Sequence, residues 1–523
     1  MLKAVHRLLQ QQIARGNFLG MLLTRTVILI CAVGLHAPSS LAATLAADRI
    51  YEGSTVDGIQ TFLGIPFAQA DRWQAPQPLP PSTDEVLPVK ANQFPPACMQ
   101  TDHIVRWYRN LIDDFGGDPE SFQAPEMAEE CLSLNIWAPE QSTEQALPVV
   151  IYIHGGSNKG GWSFEPNYVG AELAKRGLIV ISINYRLGIF GFFAHPDIPD
   201  PNFALLDQIA ALQWVHRHID QLGGDSSNIT LMGESAGASN IGFLLSAPAA
   251  KGLFHKVIHQ SAGWAINGRV DLEDAQMAAQ KLDLAIGNGS EVGLAALREE
   301  SPHTLLEHAV DLYESIYFDP IAGTPSLPIS ASEVFASGSV HPVELLIGSN
   351  ADEWLIYLDD SQSLSDDLTR LAPQIHHDAL RQALTGLPEP KARDRLITAI
   401  NYVCPSFTIA ETMEGLDRQA WFYYFDQVRT GDLASKMGAY HGAELPYVFN
   451  THDDWLPTNK GDRELTDIMM SYWANFIRTG NPNAPGLPQW TPYSSDKQLI
   501  LRLHRESATQ THPSASLCAV LNP

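Results

Sequence analysis

Positive charge is scarce in this chain: Lys and Arg number 33 against 59 Asp and Glu, a formal net charge of −26. Such a chain has nothing to neutralise a run of phosphates, which argues against nucleic acid as a partner. Cysteine is sparse as well, with five in 523 residues and no C-x-x-C metal or redox pair. Beyond residue 42 no apolar run reaches the length of a membrane span. There is also no internal repeat, low-complexity tract or linker, so residues 43–523 read as a single domain. With 45% hydrophobic residues and mixed charges, that domain has the material for a large core.

Residues 1–42 differ in kind. Lys3, Arg7, Arg15 and Arg25 are basic, no acid precedes Asp48, and the apolar run Val27–Leu35 leads to small residues at Ser40-Leu41-Ala42. This is the layout of a secretory signal, its apolar part too short to span a bilayer comfortably. Met21 with Arg25 makes a tidier start, and an uncleaved anchor is the competing reading. Export makes the protein secreted or periplasmic. Cys31 falls in the leader, leaving Cys98, Cys131, Cys404 and Cys518, an even set suited to disulfides in an oxidising compartment. Spacing does not choose among their pairings.

Buried-looking strands alternate with helices along the chain. Leu132–Trp137, Val149–His154, Leu178–Tyr185, Asn228–Met232, Val257–Gln260, Glu344–Gly348, Trp421–Phe425 and Gln498–Leu503 read as strands. Asn202–Leu222, with Leu205, Ile209, Leu212, Val215 and Ile219 at helical spacing, reads as an amphipathic helix. Asp271–Leu312, Leu364–Ile400 and Asp467–Ile477 are helical, and Arg49–Phe67 is a pair of small antiparallel strands around Val56-Asp57-Gly58. The pattern predicts an α/β class with a mostly parallel sheet covered by helices, and helical insertions forming a cap. Asp102–Glu130 is polar and acidic with Trp107 and Tyr108 embedded. It reads either as a surface loop with a short helix or as a pocket wall with an aromatic rim.

The chemistry concentrates in Gly233-Glu234-Ser235-Ala236-Gly237, a G-x-S-x-G between a strand and a run of small residues that opens a helix. A serine on so sharp a turn is strained, and its hydroxyl projects clear of the sheet. Ser235 is the expected nucleophile. It needs a base, and the base needs an acid to hold its tautomer. Asp352 and Glu353 follow the Glu344–Gly348 strand and are both candidates for the acid. His441, among small residues after the aromatic strand, is the candidate base; His216, His218, His255 and His259 read as helix-surface or strand-end residues. The backbone N–H of Ala236 and the loop His154-Gly155-Gly156-Ser157 offer an oxyanion hole. That glycine-rich loop is not a phosphate cradle, because no G-K-[ST] follows it.

From Phe62-Leu63-Gly64-Ile65-Pro66-Phe67 onward, the chain resembles the type-B carboxylesterases, the cholinesterase-like branch of the α/β-hydrolases. The resemblance runs through Glu130–Trp137, Ile183-Asn184-Tyr185-Arg186-Leu187-Gly188, Leu206-Asp207-Gln208, Ala211–Val215 and Gly223-Gly224-Asp225 to Tyr472–Phe476 and Gly480–Asn483. It implies an α/β-hydrolase fold and a serine ester hydrolase acting on small to medium carboxylic esters without a metal or organic cofactor. It places the triad acid on Glu353 and the base on His441, with Gly156, Ser157 and Ala236 as oxyanion donors. It implies disulfides Cys98–Cys131 and Cys404–Cys518. Glu234 and Glu444 match positions near the active centre, where a carboxylate steadies the imidazolium or completes a buried hydrogen-bond network. Thioesters or amides, or a non-catalytic binding role, are the alternatives; loss of a triad member would mark the last, and none is lost here.

Two departures stand out. Ser157 replaces the last glycine of the family's H-G-G-G loop, so its Cβ adds bulk and strain if the position needs a positive φ. Esters of bulky tertiary alcohols are therefore expected to turn over far more slowly than a primary ester; comparable rates on the two would contradict this. The stretch after Phe67 is shortened to Ala68-Gln69-Ala70-Asp71-Arg72-Trp73. Trp107, Tyr108, Trp264, Tyr317 and Phe318 are candidates for lining the substrate pocket.

Overall fold

In a computed structural model, described for residues 41–80, 88–140, 145–266, 270–312 and 317–521, the sequence's strands assemble into one large sheet. Its principal members are β1 (Ile50–Val56), β2 (Ile59–Pro66), β3 (Ser133–Pro139), β4 (Leu147–Ile153), β5 (Ile179–Ile183), β6 (Gly224–Glu234), β7 (Lys256–Gln260), β8 (Glu344–Asn350), β9 (Ala420–Phe425), β10 (Leu499–Leu503) and β11 (Ala508–Thr511), with short strands at Leu41–Ala46 and Val89–Lys90 besides. They lie side by side as β1-β2-β3-β5-β4-β6-β7-β8-β9-β10-β11. The run from β5 to β10 is parallel, and both ends of the sheet are antiparallel. Parallel strands are buried on both faces, which explains the unbroken apolar text of Val149–Ile153 and Ile179–Ile183, every residue of which is buried.

The chain leaves β4 to one side for β5 and returns on the other side for β6, so the strand order reverses at β4. In open α/β sheets the crevice beyond the strand carboxyl ends at such a reversal is where ligands bind. The loops that leave β4, β6, β8 and β9 carry the expected oxyanion loop, nucleophile, acid and base respectively.

Three helices bear on the site: α1 (His103–Asp114), α2 (Phe203–His218) and α3 (Ala236–Ser246). The motifs around β5 and α2 have one physical reason. Arg186 donates from Nε and Nη2 to the two carboxylate oxygens of Asp207 at 2.8 and 2.7 Å, and both side chains are buried. Removing either partner would leave a buried charge uncompensated.

Several boundaries differ from the sequence expectation. The nucleophile strand begins at Gly224, which pairs with Leu147, but the pairing is irregular until Ile229, where Asp225 accepts locally from the Ser227 N–H and hydroxyl instead. The helix expected over 202–222 ends at His218 and tightens into a 3-10 turn closed by Gly223 at φ 71°. Asp271–Leu312 is broken into three helices around Gly287-Asn288-Gly289 and Glu300-Ser301, and Leu364–Ile400 into three around Pro373 and Pro388. The helix expected from Asp467 starts at Lys460, where Asn459 and Asp462 form a capping box. Such a cap contributes about 1 kcal/mol and offsets the polar first turns that hid the helix. His259 is a strand-end residue, next to the last of β7, but not an exposed one. It is fully buried in β7 beside Gly233 and Ile347, and burial pushes its imidazole down to about 4, so it is neutral.

Disulfides join Cys98 to Cys131 and Cys404 to Cys518, with Cα–Cα distances of 5.0 and 5.2 Å. The first closes the segment carrying α1 and the second ties the C-terminal region to the body. Among the described residues no helix is long and apolar enough to cross a membrane. The expected leader, with Cys31, lies outside them, apart from its last two residues, which fall in a strand at Leu41–Ala46.

Candidate active site

Ser235 sits between the end of β6 and the start of α3 with φ 56° and ψ −127°, a conformation L-residues rarely adopt. The flanking glycines make the turn possible. A Cβ on Gly233 would lie 2.7 Å from the carbonyl carbon of Gly237, and one on Gly237 would overlap the Ile153 carbonyl. The Ser235 N–H donates to the Gln260 carbonyl at 3.0 Å, fixing the elbow to β7. The side chain faces a cavity of about 350 Å³ that also contains His441, Gly156, Ser157 and Ala236 on its wall.

Geometry separates the two candidate acids. Glu353 is fully buried; its Oε2 lies 2.6 Å from His441 Nδ1, and its Oε1 accepts the Asn350 N–H at 2.7 Å. Asp352 faces elsewhere, pairing with Lys391 Nζ at 2.5 Å and accepting the Ala439 N–H at 2.9 Å. With Nδ1 occupied by Glu353, His441 presents Nε2 to the cavity, 3.2 Å from Glu234 Oε1.

The other two carboxylates flagged by sequence divide their roles. Glu444 accepts from Gln260 Nε2 at 2.9 Å and Asn350 Nδ2 at 2.6 Å, so it completes a buried network behind the site. Glu234 instead faces the imidazole. Burial by itself would push the His441 imidazole down, but the Glu234 and Glu353 carboxylates outweigh it and its pKa is raised. Glu234 is also pushed up, mainly by burial, with Glu444, Glu353 and Glu165 adding to the effect and His441 opposing it.

The expected oxyanion loop follows β4. Gly156 and Ser157 have φ of 96° and 58°, so the serine in place of glycine does occupy a left-handed position. A Cβ at Gly156 would overlap the Gly160 carbonyl, whereas Ser157 has room for one. His154 stacks on Tyr185 at 4.4 Å, and burial pushes it down to about 4, so it serves as neutral support.

Of the lining candidates, Trp107 and Tyr108 reach the cavity from α1, which makes Asp102–Glu130 part of the wall and gives it an ordered helix with Ile104, Tyr108, Leu111 and Ile112 buried. Trp107 Nε1 donates to Tyr357 Oη at 2.7 Å, and Tyr108 Oη donates to Glu165 at 2.9 Å. Tyr317 also lines the cavity. Phe318 does not: it is buried in the core beside Phe192, while its neighbours Tyr317 and Asp319 line the cavity. The side chain of Trp264 lies outside the described residues.

Sequence reasoning missed Glu165, Trp354, Tyr357 and Tyr402, all on the cavity wall. Tyr402 lies 5.4 Å from the His441 ring. Glu165 is buried, and burial pushes its carboxyl up to about 7. The only signal for it was its position a few residues after the glycine loop. The aromatics belong to cap segments whose spacing reads as ordinary core. Among the described residues no group of three or more His, Cys, Asp or Glu side chains is placed to hold a metal ion.

Comparison with known proteins agrees with this architecture. The carboxylesterase family model matches residues 49–521. The para-nitrobenzyl esterase of Bacillus subtilis is 30% identical, over 89% of this chain and 95% of that protein. The liver carboxylesterase of Sus scrofa is 31% identical, over 84% of each, and the acetylcholinesterase of Bungarus fasciatus is 31% identical over 89% of this chain and 83% of its own. Among solved structures, a PNB esterase superposes with a TM-score of 0.78 at 28% identity, covering 92% of this chain and 99% of the other. A Geobacillus stearothermophilus carboxylesterase does so with 0.77 at 26%, covering 92% and 100%. The chain belongs to the carboxylesterase family, has the α/β-hydrolase fold, and is a carboxylic ester hydrolase.

Proposed function

We propose that this hydrolase cleaves small to medium carboxylic esters through an acyl-enzyme on Ser235, with His441 as base and Glu353 as the acid that orients it. The observation that carries the assignment is the 2.6 Å contact between His441 Nδ1 and Glu353, which leaves Nε2 facing the cavity that Ser235 shares. In the first step His441 takes the Ser235 proton as Oγ adds to the ester carbonyl. The oxyanion is held by the N–H groups of Gly156, Ser157 and Ala236, and the C–O bond breaks as His441 Nε2–H protonates the departing alcohol. Water then attacks the acyl-enzyme by the same route, releasing the carboxylic acid and restoring Ser235. A cavity of about 350 Å³ suits a small to medium ester. The left-handed Ser157 supports the expected discrimination against bulky tertiary alcohols, since its Cβ projects where a glycine would leave space.

The test is hydrolysis of a short-chain nitrophenyl ester as a function of pH. Only neutral His441 is a base, so activity is lost as pH falls through its pKa. The carboxylates that raise that pKa place the acid limb above the ordinary histidine range near 6.5. Below the limb kcat/KM falls about tenfold per pH unit. Glu234→Gln removes one of the raising charges and moves the limb down. A profile flat from about pH 5 to 8 would exclude a histidine base.

We also propose that residues 1–42 are a cleaved export signal, that residues 43–523 form a single catalytic domain, and that the protein works outside the cytoplasm. The disulfides support this, because such bonds persist in oxidising compartments.

A further inference from the structure

The oxyanion loop holds two consecutive non-glycine residues in the left-handed region, Ser157 at φ 58° and Asn158 at φ 55°. Such strain persists only where the surroundings over-determine it. Here they do so through one side chain. Asn158 is fully buried. Its Nδ2 donates to the Phe318 carbonyl at 2.6 Å and lies 3.3 Å from Asp319 Oδ1. Its Oδ1 accepts from Asn240 Nδ2 at 2.9 Å and lies 3.3 Å from Tyr185 Oη. Its own carbonyl accepts the Gly188 N–H at 2.6 Å. Tyr185 Oη donates to the His154 carbonyl at 2.8 Å, closing the ring of contacts on the far side of the loop.

These partners come from the loop after β5, from α3, which starts at the nucleophile elbow, and from the 317–319 cavity wall. We infer that Asn158 is a positioning residue for the oxyanion hole, locking the Ser157 N–H in register with Ser235 through α3. The inference rests on the proposed triad and hole. Asparagine suits the task for two reasons. It tolerates the left-handed region better than most side chains. Its amide also supplies a donor and an acceptor at once, which a carboxylate cannot do beside Asp319.

The variants that test it are Asn158→Gly, which keeps the backbone conformation and deletes the anchor, and Asn158→Asp, which keeps the shape and deletes the donor. Both are compared with Ser235→Ala on nitrophenyl butyrate, with rates expressed per site titrated by an organophosphate. That normalisation matters, because a merely structural role would lower the number of titratable sites and leave kcat per site intact. The expected result is a fall in kcat of about 10- to 100-fold with KM changed by less than about threefold, as for a displaced transition-state donor. Affinity for a trifluoromethyl ketone, whose adduct carries the oxyanion, should fall in the same proportion.

Unchanged kcat per site in the glycine variant, or a loss carried by KM alone, overturns the inference while leaving the triad intact if Ser235→Ala is inactive. An active Ser235→Ala overturns the triad reading itself, and this inference with it. If the glycine variant does not fold, the aspartate variant gives the reading. Failure of both to fold assigns Asn158 to the scaffold and overturns the positioning role.

Discussion

Ser235→Ala is expected to lower kcat for a nitrophenyl ester by about 10⁵-fold while the protein stays folded. Stability should change little, because the strain lies in the backbone and alanine inherits it; the elbow is fixed by the Ser235 N–H to Gln260 and by Gly233 and Gly237. A residual rate of about 10³-fold over water is expected, since the oxyanion donors remain when the nucleophile is gone. The measurement is steady-state turnover beside mass spectrometry of protein quenched during turnover of nitrophenyl acetate. The native protein should carry an acetyl group on the peptide containing Ser235, and the variant should carry none. An acetyl group on any other serine, or native-like turnover by the variant, would falsify the assignment.

How much of this was legible beforehand depended on whether the cause was local. Ser235 was legible because a sharp strand-to-helix turn needs glycines two residues either side, and Gly233 and Gly237 sit at that spacing. The central strands were legible because burial on both faces leaves them uniformly apolar. The choice between Asp352 and Glu353 was not a local matter. Adjacent carboxylates look alike until the turn sends one to His441 and the other to Lys391 and Ala439; family resemblance, not spacing, favoured Glu353. The same holds for the cavity wall. Phe318 was as plausible as Tyr317 in the text, and only the packing of Phe318 against Phe192 in the core decided which faced the cavity. Glu165, Trp354, Tyr357 and Tyr402 reach the site through contacts with distant segments, so no window of sequence contains the reason for them. His259 was legible as a strand-end residue but not as a buried one, since its 0% exposure comes from neighbours on either side of its strand.

Glu353→Gln is expected to lower kcat by about 10³- to 10⁴-fold, although it is isosteric and removes only a charge. The reason is the pattern of acceptors. Oε1 accepts the Asn350 N–H at 2.7 Å, and Oε2 faces His441 Nδ1 at 2.6 Å, where it accepts the ring N–H. A carboxylate can accept at both oxygens; an amide has one acceptor and one donor. If the glutamine oxygen stays with Asn350, its NH₂ meets Nδ1 and forces the proton to Nε2, which turns the base away from Ser235 as a donor. If it stays with His441, its NH₂ opposes the Asn350 N–H in a buried site, a conflict that costs about 1–3 kcal/mol of stability. The two outcomes are separable by pairing kinetics with thermal unfolding. Either way the loss of the Glu353 charge lowers the His441 pKa, so the residual activity should show its acid limb at lower pH than the native protein. Asp352→Asn is the control. Asparagine retains an acceptor for the Ala439 N–H and loses only the Lys391 ion pair, so its kcat should fall by no more than about tenfold, with no movement of the limb comparable to that of Glu353→Gln. A larger loss in Asp352→Asn than in Glu353→Gln would reverse the assignment of the acid.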